Sequence, residues 1–187
     1  MLLLLFIGSI SLGSVHVPFL DVVNPLIGQS ASKESWEFIV LNFRLPKSIT
    51  AILVGSGLSI SGLLMQTLFR NPLAGPFVLG ISSGASLGVA ILILGSSVFG
   101  GGLLAYSTSN WALAIASSLG AFLVLSAILI AATRIRNTMS ILIIGLMFGS
   151  LTAAIISVLS YFSSATQIQQ YVFWSFGSLG NLSWSEL

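Results

Sequence analysis

The heptapeptide Arg70-Asn71-Pro72-Leu73-Ala74-Gly75-Pro76 separates two long apolar segments, 46–69 and 77–94. Each proline restricts the residue before it away from the helical region, and Asn71 is able to turn the chain through its side chain. The two apolar segments are each close to the roughly 20 residues that cross the hydrocarbon core of a bilayer as a helix. The sequence therefore predicts two membrane-spanning helices joined by a tight turn.

The whole chain is too apolar for a water-soluble protein. Of its 187 residues, 56% are hydrophobic and only 5% are charged, with a mean hydropathy of +1.08. A soluble domain has roughly 25% charged residues, so we expect an integral membrane protein. The net charge of +2 is too small and too scattered for nucleic-acid binding. The absence of cysteine excludes disulfides, thiolate metal sites and cysteine catalysis.

Five apolar segments are predicted, at 1–15, 46–69, 77–94, 111–132 and 141–162. Their apolar runs are continuous and do not alternate, which favours helices over barrel strands. The first segment is short for a full span, and the other four have spanning length. The fold class is therefore all-α, a polytopic bundle of about five transmembrane helices. The stretches between them (16–43, 95–110, 133–140) and the polar-aromatic tail 163–187 are expected to connect the helices or lie at the membrane interface.

Charge does not fix the orientation of these helices. No basic residue precedes Lys33, so the start of the chain lacks the basic region of a signal peptide. With the N-terminus inside, three basic residues lie on each side, and the positive-inside rule is undecided. The two sets are Arg70, Arg134 and Arg136 inside, and Lys33, Arg44 and Lys47 outside.

Small residues recur at helical spacing in four of the segments. Such rows let helix backbones approach closely where lipid supplies no hydrophobic drive, so we expect tight bundle packing. For the fifth segment, the lining of a passage for a bulky solute is an alternative. Gln66 is expected to hydrogen-bond a neighbouring helix or, alternatively, to serve the pathway. The rows are Gly55, Ser59, Gly62 and Gln66; Gly80, Gly84 and Gly88; Ala112, Ala116 and Gly120; and Gly145, Gly149, Ala153 and Ser157.

Motifs for catalysis are weak in this sequence. Residues 80–84 match G-x-S-x-G, but a nucleophilic serine needs a base, and His16 is the single histidine. We therefore disfavour an intramembrane serine hydrolase. No phosphate-binding G-x-x-x-x-G-K-[ST] loop is present, so we expect no ATPase site in this chain. No cluster of carboxylates or histidines is suited to bare metal, and any metal would travel inside a chelate.

The order of the polar motifs resembles the permease subunits of FecCD/cobalamin-type ABC importers. That family carries R-x-P-R, a Gly-x-x-x-Gln helix, R/E-N-P-L-A-x-P and L-G-x-x-x-G-A. These elements occur here in the same order, with Lys47 where the family usually has arginine. The tail Trp174-Ser175-Phe176-Gly177-Ser178-Leu179 resembles the family's W-x-x-G-S-L, with Trp184 after it. The matching residues singled out are Asn71, Pro72, Leu73, Ala74, Pro76, Gly80, Gly84, Trp174 and Gly177.

The resemblance implies a permease domain in the cytoplasmic (inner) membrane, with its N-terminus inside. Similar permeases have about ten helices, dimerise, bind cytoplasmic ATP-binding subunits and receive ferric siderophore, haem or cobalamin from an extracytoplasmic binding protein. They need no cofactor of their own. The resemblance covers the front half, so 1–187 is expected to be a single permease domain truncated before the coupling helix. A non-transporting remnant or assembly partner is the alternative, and the sequence does not name the chelate.

The resemblance also implies roles for particular residues. Arg44 and Lys47, with Pro46 beginning the helix, are expected to dock the binding protein, with Arg44 the more important because lysine cannot grip a carboxylate bidentately. The alternative is that both anchor the helix at the headgroups. The expected cytoplasmic gate comprises Asn137, Thr138, Met139 and Ser140, against the alternative of an ordinary positively charged loop. The residues expected to line the pathway or pack beside it are Gln66, Gly145, Gly149, Ala153 and Ser157.

Overall fold

The computed structural model describes residues 1–99, 109–135, 137–180, 184–185 and 187. Over these ranges the chain is helical and contains no strand, which confirms the all-α class. The helices are α1 (Leu2–Ser11), α2 (Phe19–Leu26), α3 (Glu34–Ile39), α4 (Leu45–Phe69), α5 (Ile81–Ile93), α6 (Ser96–Phe99), α7 (Asn110–Arg134), α8 (Thr138–Tyr161) and α9 (Ala165–Ser175).

Within the described residues, four helical stretches are long and apolar enough to cross a membrane. They are Glu34–Phe69, Ile81–Val98, Asn110–Arg134 and Met139–Tyr161. This agrees with the four segments that were predicted to have spanning length. The first apolar segment forms the ten-residue α1, which is shorter than a bilayer core requires.

The span Glu34–Phe69 begins earlier than the segment 46–69 that the sequence predicted. A π-helical turn, Val40–Arg44, joins α3 to α4, and the Leu45 N–H donates to the Val40 carbonyl. Pro46 therefore lies inside a continuous helical stretch, and the prediction that it begins the helix is wrong. A proline ring in a helix clashes with the carbonyl four residues earlier, and the wider π-helical turn moves that carbonyl away.

Three stretches predicted as connectors or tail also contain helices. Residues 16–43 hold α2 and α3, the beginning of 95–110 holds α6, and the tail 163–187 holds α9. Helix α9 begins at a capping box, in which the Ser164 hydroxyl and the Gln167 side chain each bond the other residue's backbone N–H. The glycine- and serine-rich connector 95–110 lies partly outside the described residues, which resume at Ser109.

The chain divides into two compact units. The first comprises Met1–Ser59 with Ser178–Leu187, and the second is Ile60–Gly177. The first unit buries Ile10, Val17, Val22 and Val40. The second buries two clusters, one of Val89, Ala90, Ile93, Leu94 and Leu159, the other of Leu79, Val124 and Ile128.

Candidate functional site

The glycine row of α5 lies directly against α7. A Cβ placed on Gly84 would stand 2.6 Å from the Gly120 carbonyl oxygen, and one placed on Gly88 would overlap the carbonyl of Ala116. The backbones therefore touch where their small residues meet, as the sequence predicted for these two rows.

Helix α8 meets the start of α5 through Gly80 and Gly145. Gly80 has φ +69°, a left-handed conformation that favours glycine, and a Cβ there would lie 2.7 Å from the Gly145 carbonyl oxygen. One turn on, a Cβ on Gly149 would lie 3.3 Å from the Ser83 hydroxyl. The Gly80–Gly84 stretch thus serves helix packing, and Ser83 lies against a neighbouring helix.

A groove of about 330 Å³ runs beside this contact within the second unit. Gly145, Gly149 and Ala153 line it, together with Phe77 and Ser83. The Ala153 and Ser157 side chains are exposed farther along α8. The row predicted on the fifth segment is therefore packed at its beginning and open at its end.

Helix α4 carries a similar row with a different environment. No described heavy atom lies within 4 Å of a Cβ placed on Gly55, Gly57 or Gly62. Gln66 continues the row and is exposed. The small face of α4 is therefore unpacked against the described residues, unlike the face of α5.

Arg44 occupies a buried position in the first unit. Its side chain is 8% exposed, and its Nη1 donates to the carbonyls of Ile10 and Ser11, both at 2.9 Å. Nη2 donates to the carbonyl of Val15. The guanidinium thereby satisfies carbonyls that the C-terminus of α1 leaves without helical partners.

Neighbouring residues hold the same junction between α1 and α4. A Cβ on Gly13 would stand 2.8 Å from Arg44 Nη2, so glycine makes room for the guanidinium. The hydroxyls of Ser9 and Ser48 are 2.9 Å apart, and Ser48 also donates to the Arg44 carbonyl at 2.8 Å. Lys47, one turn after Arg44, is exposed.

The residues expected to form a gate lie at the start of α8. The Asn137 side chain accepts the Met139 N–H at 2.9 Å and so caps the helix. Met139 is exposed and Ser140 is half-buried. The Thr138 side chain and Arg136 lie outside the described residues.

The heptapeptide forms the predicted turn through its asparagine. Asn71 Oδ1 accepts the Leu73 N–H at 2.9 Å, and the Ala74 N–H donates to the Asn71 carbonyl at 3.1 Å. Arg70 has φ +46°, the left-handed conformation common just after a helix ends. Ala74 is buried, while Pro72 and Leu73 are exposed. The motif therefore ends α4 and turns the chain toward Gly80 by local bonding.

Sequence reasoning missed a buried polar cluster around Gln167. Its Nε2 donates to the Ile93 carbonyl at 3.2 Å and to the Ser96 hydroxyl at 2.7 Å. Its Oε1 accepts from the Ser97 hydroxyl at 2.7 Å and the Ser164 N–H at 2.9 Å. One side chain thus joins α9 to the end of α5. The S-x-x-Q spacing at Ser164 was the available signal.

The aromatic residues of the tail have separate environments. Trp174 stacks on Tyr171, with ring centroids 6.3 Å apart, and packs against the core of the second unit. Burial raises the pKa of Tyr171, and its hydrogen bond to Ser86 acts in the opposite direction. Gly177 has φ +71°. Trp184 belongs to the first unit, where its Nε1 donates to the Leu41 carbonyl at 2.9 Å.

Comparison with known proteins assigns the chain to one family. The model of the FecCD transport family matches residues 1–187. The hemin transport system permease protein HmuU of Yersinia pestis is 36% identical over 192 residues, which covers 100% of this chain and 53% of the relative. The vitamin B12 import system permease protein BtuC of Klebsiella pneumoniae is 35% identical over 152 residues, covering 81% of this chain and 43% of the relative.

A solved structure supports the same assignment. An inward-facing structure of a metal-chelate type ABC transporter superposes with a TM-score of 0.76 and 26% identity, covering 98% of this chain and 53% of that one. The chain spans about half the length of the relatives it matches. Because the family model matches the chain from end to end, the protein belongs to the FecCD transport family.

Proposed function

We propose that this chain supplies the front half of a permease subunit of an ABC importer in the cytoplasmic membrane. The cargo class is a ferric siderophore, haem or a cobalamin-like chelate. The observation that carries the proposal is the family match over the whole chain, with haem and vitamin B12 permeases among the relatives. Transport would also require the part of the permease that matches the other half of these relatives.

The mechanism is gating by helix movement, without covalent chemistry in this chain. ATP-binding subunits on the cytoplasmic side, a second permease subunit and an extracytoplasmic binding protein are the proposed partners. The packed contacts among α5, α7 and α8 suit a unit that moves as a body, because touching backbones leave little room for sliding. The partly open row on α8 suits a wall of the pathway.

Docking of the binding protein rests on Lys47 more than on Arg44. The guanidinium of Arg44 is buried and engaged by three carbonyls, whereas Lys47 is exposed and available to a carboxylate of a partner. Lys47→Glu should therefore weaken capture of the binding protein by the assembled permease. If the affinity is unchanged at low and high salt, Lys47 has no docking role.

The gate at Asn137, Thr138, Met139 and Ser140 remains part of the proposal. Its exposed member, Met139, is the position to test. In the assembled transporter, a cysteine at Met139 should crosslink across the dimer axis in a nucleotide-dependent manner. Crosslinking that ignores nucleotide would remove the gate assignment.

ATP hydrolysis directly tests the proposal that the nucleotide sites belong to the ATP-binding subunits and not to this chain. The purified chain should show none, because its sequence has no nucleotide-binding loop. Hydrolysis should appear on addition of the cognate ATP-binding subunits and depend on their own nucleotide sites. Turnover by the purified chain that survives removal of contaminating ATPases would overturn the proposal.

A further inference from the structure

A cavity of about 510 Å³ opens beside Arg44 and Lys47 within the first unit. Both cations line it, together with Ser9 and Ser14. No carboxylate is among its described lining residues. Two positive charges one helical turn apart repel each other, so an anion between them would lower the electrostatic energy.

Among the hydrogen bonds of the described residues, Arg44 keeps donors for such an anion. A guanidinium carries five N–H donors, and the three described bonds to the Ile10, Ser11 and Val15 carbonyls each use one. The side chain is buried and fixed, so its remaining N–H groups are held in place before a ligand arrives. The carbonyl dipoles offset the positive charge only in part, because they carry no net charge.

The depth of the cavity along the membrane normal is expected from the sequence. Lys47 directly precedes residues 48–69, an apolar run without a charged side chain. Roughly 20 apolar residues cross the hydrocarbon core as a helix, so we expect Lys47 at one boundary of that core. We therefore expect the cavity beside Lys47 to lie at the level of lipid phosphates.

Apolar side chains complete the match to a lipid. Leu12 and Phe43 line the same cavity and are 80% and 54% exposed, so they offer contact to acyl chains next to the cationic groups. A free anion in water would gain nothing from these side chains. We propose that this cavity binds the phosphate of an anionic phospholipid through Lys47 and Arg44. The inference does not rest on the transport function, and a bound lipid and a docked binding protein would compete for the Lys47 ammonium.

The test compares lipid retention by the purified 187-residue chain in detergent, using native mass spectrometry. The probes are phosphatidylglycerol and phosphatidylcholine with the same acyl chains. We expect the wild type to retain phosphatidylglycerol about tenfold more tightly, and Lys47→Gln to remove most of that preference. Lys33→Gln is the matched control, because it removes the same charge from an exposed residue of the first unit outside the cavity.

Three results would overturn the proposal. The first is equal retention of the two lipids by the wild type. The second is an equal loss in the Lys47→Gln and Lys33→Gln variants, which would indicate general charge attraction. The third is displacement of the lipid by millimolar inorganic phosphate, which would make the cavity a site for free anions. No binding protein is present, so failure here leaves the docking role of Lys47 unaffected.

Discussion

Helices α4 and α5 carry the same kind of glycine row in opposite surroundings. On α5, Gly84 and Gly88 touch the backbone of α7, whereas Gly55 and Gly62 on α4 face no described atom within 4 Å. The comparison teaches that small residues at helical spacing predict a capacity for close approach. Whether that capacity is used depends on where the neighbouring helices lie, which the row itself does not encode.

The largest expected effect comes from filling the α5–α7 contact. In Gly84→Ala, the new methyl group would lie 2.6 Å from the Gly120 carbonyl oxygen and 2.7 Å from a Val124 methyl group. A backbone oxygen cannot move aside by changing a side-chain rotamer, so the helices must separate to make room for the methyl group. We expect the free energy of unfolding in detergent to fall by about 2–3 kcal/mol.

The matched substitution on α4 is Gly62→Ala. Here the methyl group meets no described atom, and alanine favours a helix over glycine by up to about 1 kcal/mol. We expect unchanged or slightly raised stability in the same denaturation experiment. Equal losses in the two variants would contradict the distinction between the packed and the open row.

A second test concerns the junction that holds α1 in the first unit. Arg44→Met removes donors from the Ile10 and Ser11 carbonyls at the end of α1 and from the Val15 carbonyl beyond it, which we expect to cost about 1–3 kcal/mol. Hydrogen exchange of the α1 amides should accelerate. Lys47→Met is the control, because the neighbouring cation is exposed, and it should leave α1 protected. An unchanged exchange rate in Arg44→Met would show that these bonds do not hold α1.

Removing the Gln167 amide from the polar cluster of the second unit should lower stability in a similar way, but by less. Gln167→Leu would leave the Ser96 hydroxyl without its described donor, at a cost of about 1–2 kcal/mol. Faster exchange of the α9 amides is the expected readout. Gln169→Leu, two residues away and exposed, should behave as wild type. If the two variants exchange alike, the cluster does not anchor α9.

The smallest expected effect is a pH dependence of folding stability that comes from Asp21 in the first unit. Hydrogen bonds from Ser32, including its N–H at 2.6 Å, hold the pKa of Asp21 below the ordinary value of 3.8 and outweigh the opposing effect of burial. A depressed folded-state pKa gives stability that is present above pH 3.8 and lost as the pH falls through the folded-state value. Acid titration followed by tryptophan fluorescence should show this loss. Asp21→Asn should flatten it, and an identical acid transition in that variant would exclude Asp21 as the cause.

Hydropathy alone was sufficient to predict the four spans, because a continuous apolar run of spanning length can satisfy its backbone groups in lipid only as a helix. The Asn71 turn was also predictable, since its bonds are local. The role of Arg44 was not, because its carbonyl partners lie 29 to 34 residues earlier in the chain. The π-helical turn before Pro46 was likewise not predictable from the sequence, because proline is common at the first position of a helix.

Uptake by proteoliposomes tests the central claim most directly. The chain would be reconstituted with the remainder of the permease, the ATP-binding subunits and a binding protein loaded with a labelled chelate. We predict accumulation of the chelate that requires both ATP and the binding protein, and that is lost when this chain is omitted. Accumulation at the same rate without this chain would contradict its assignment as a permease subunit.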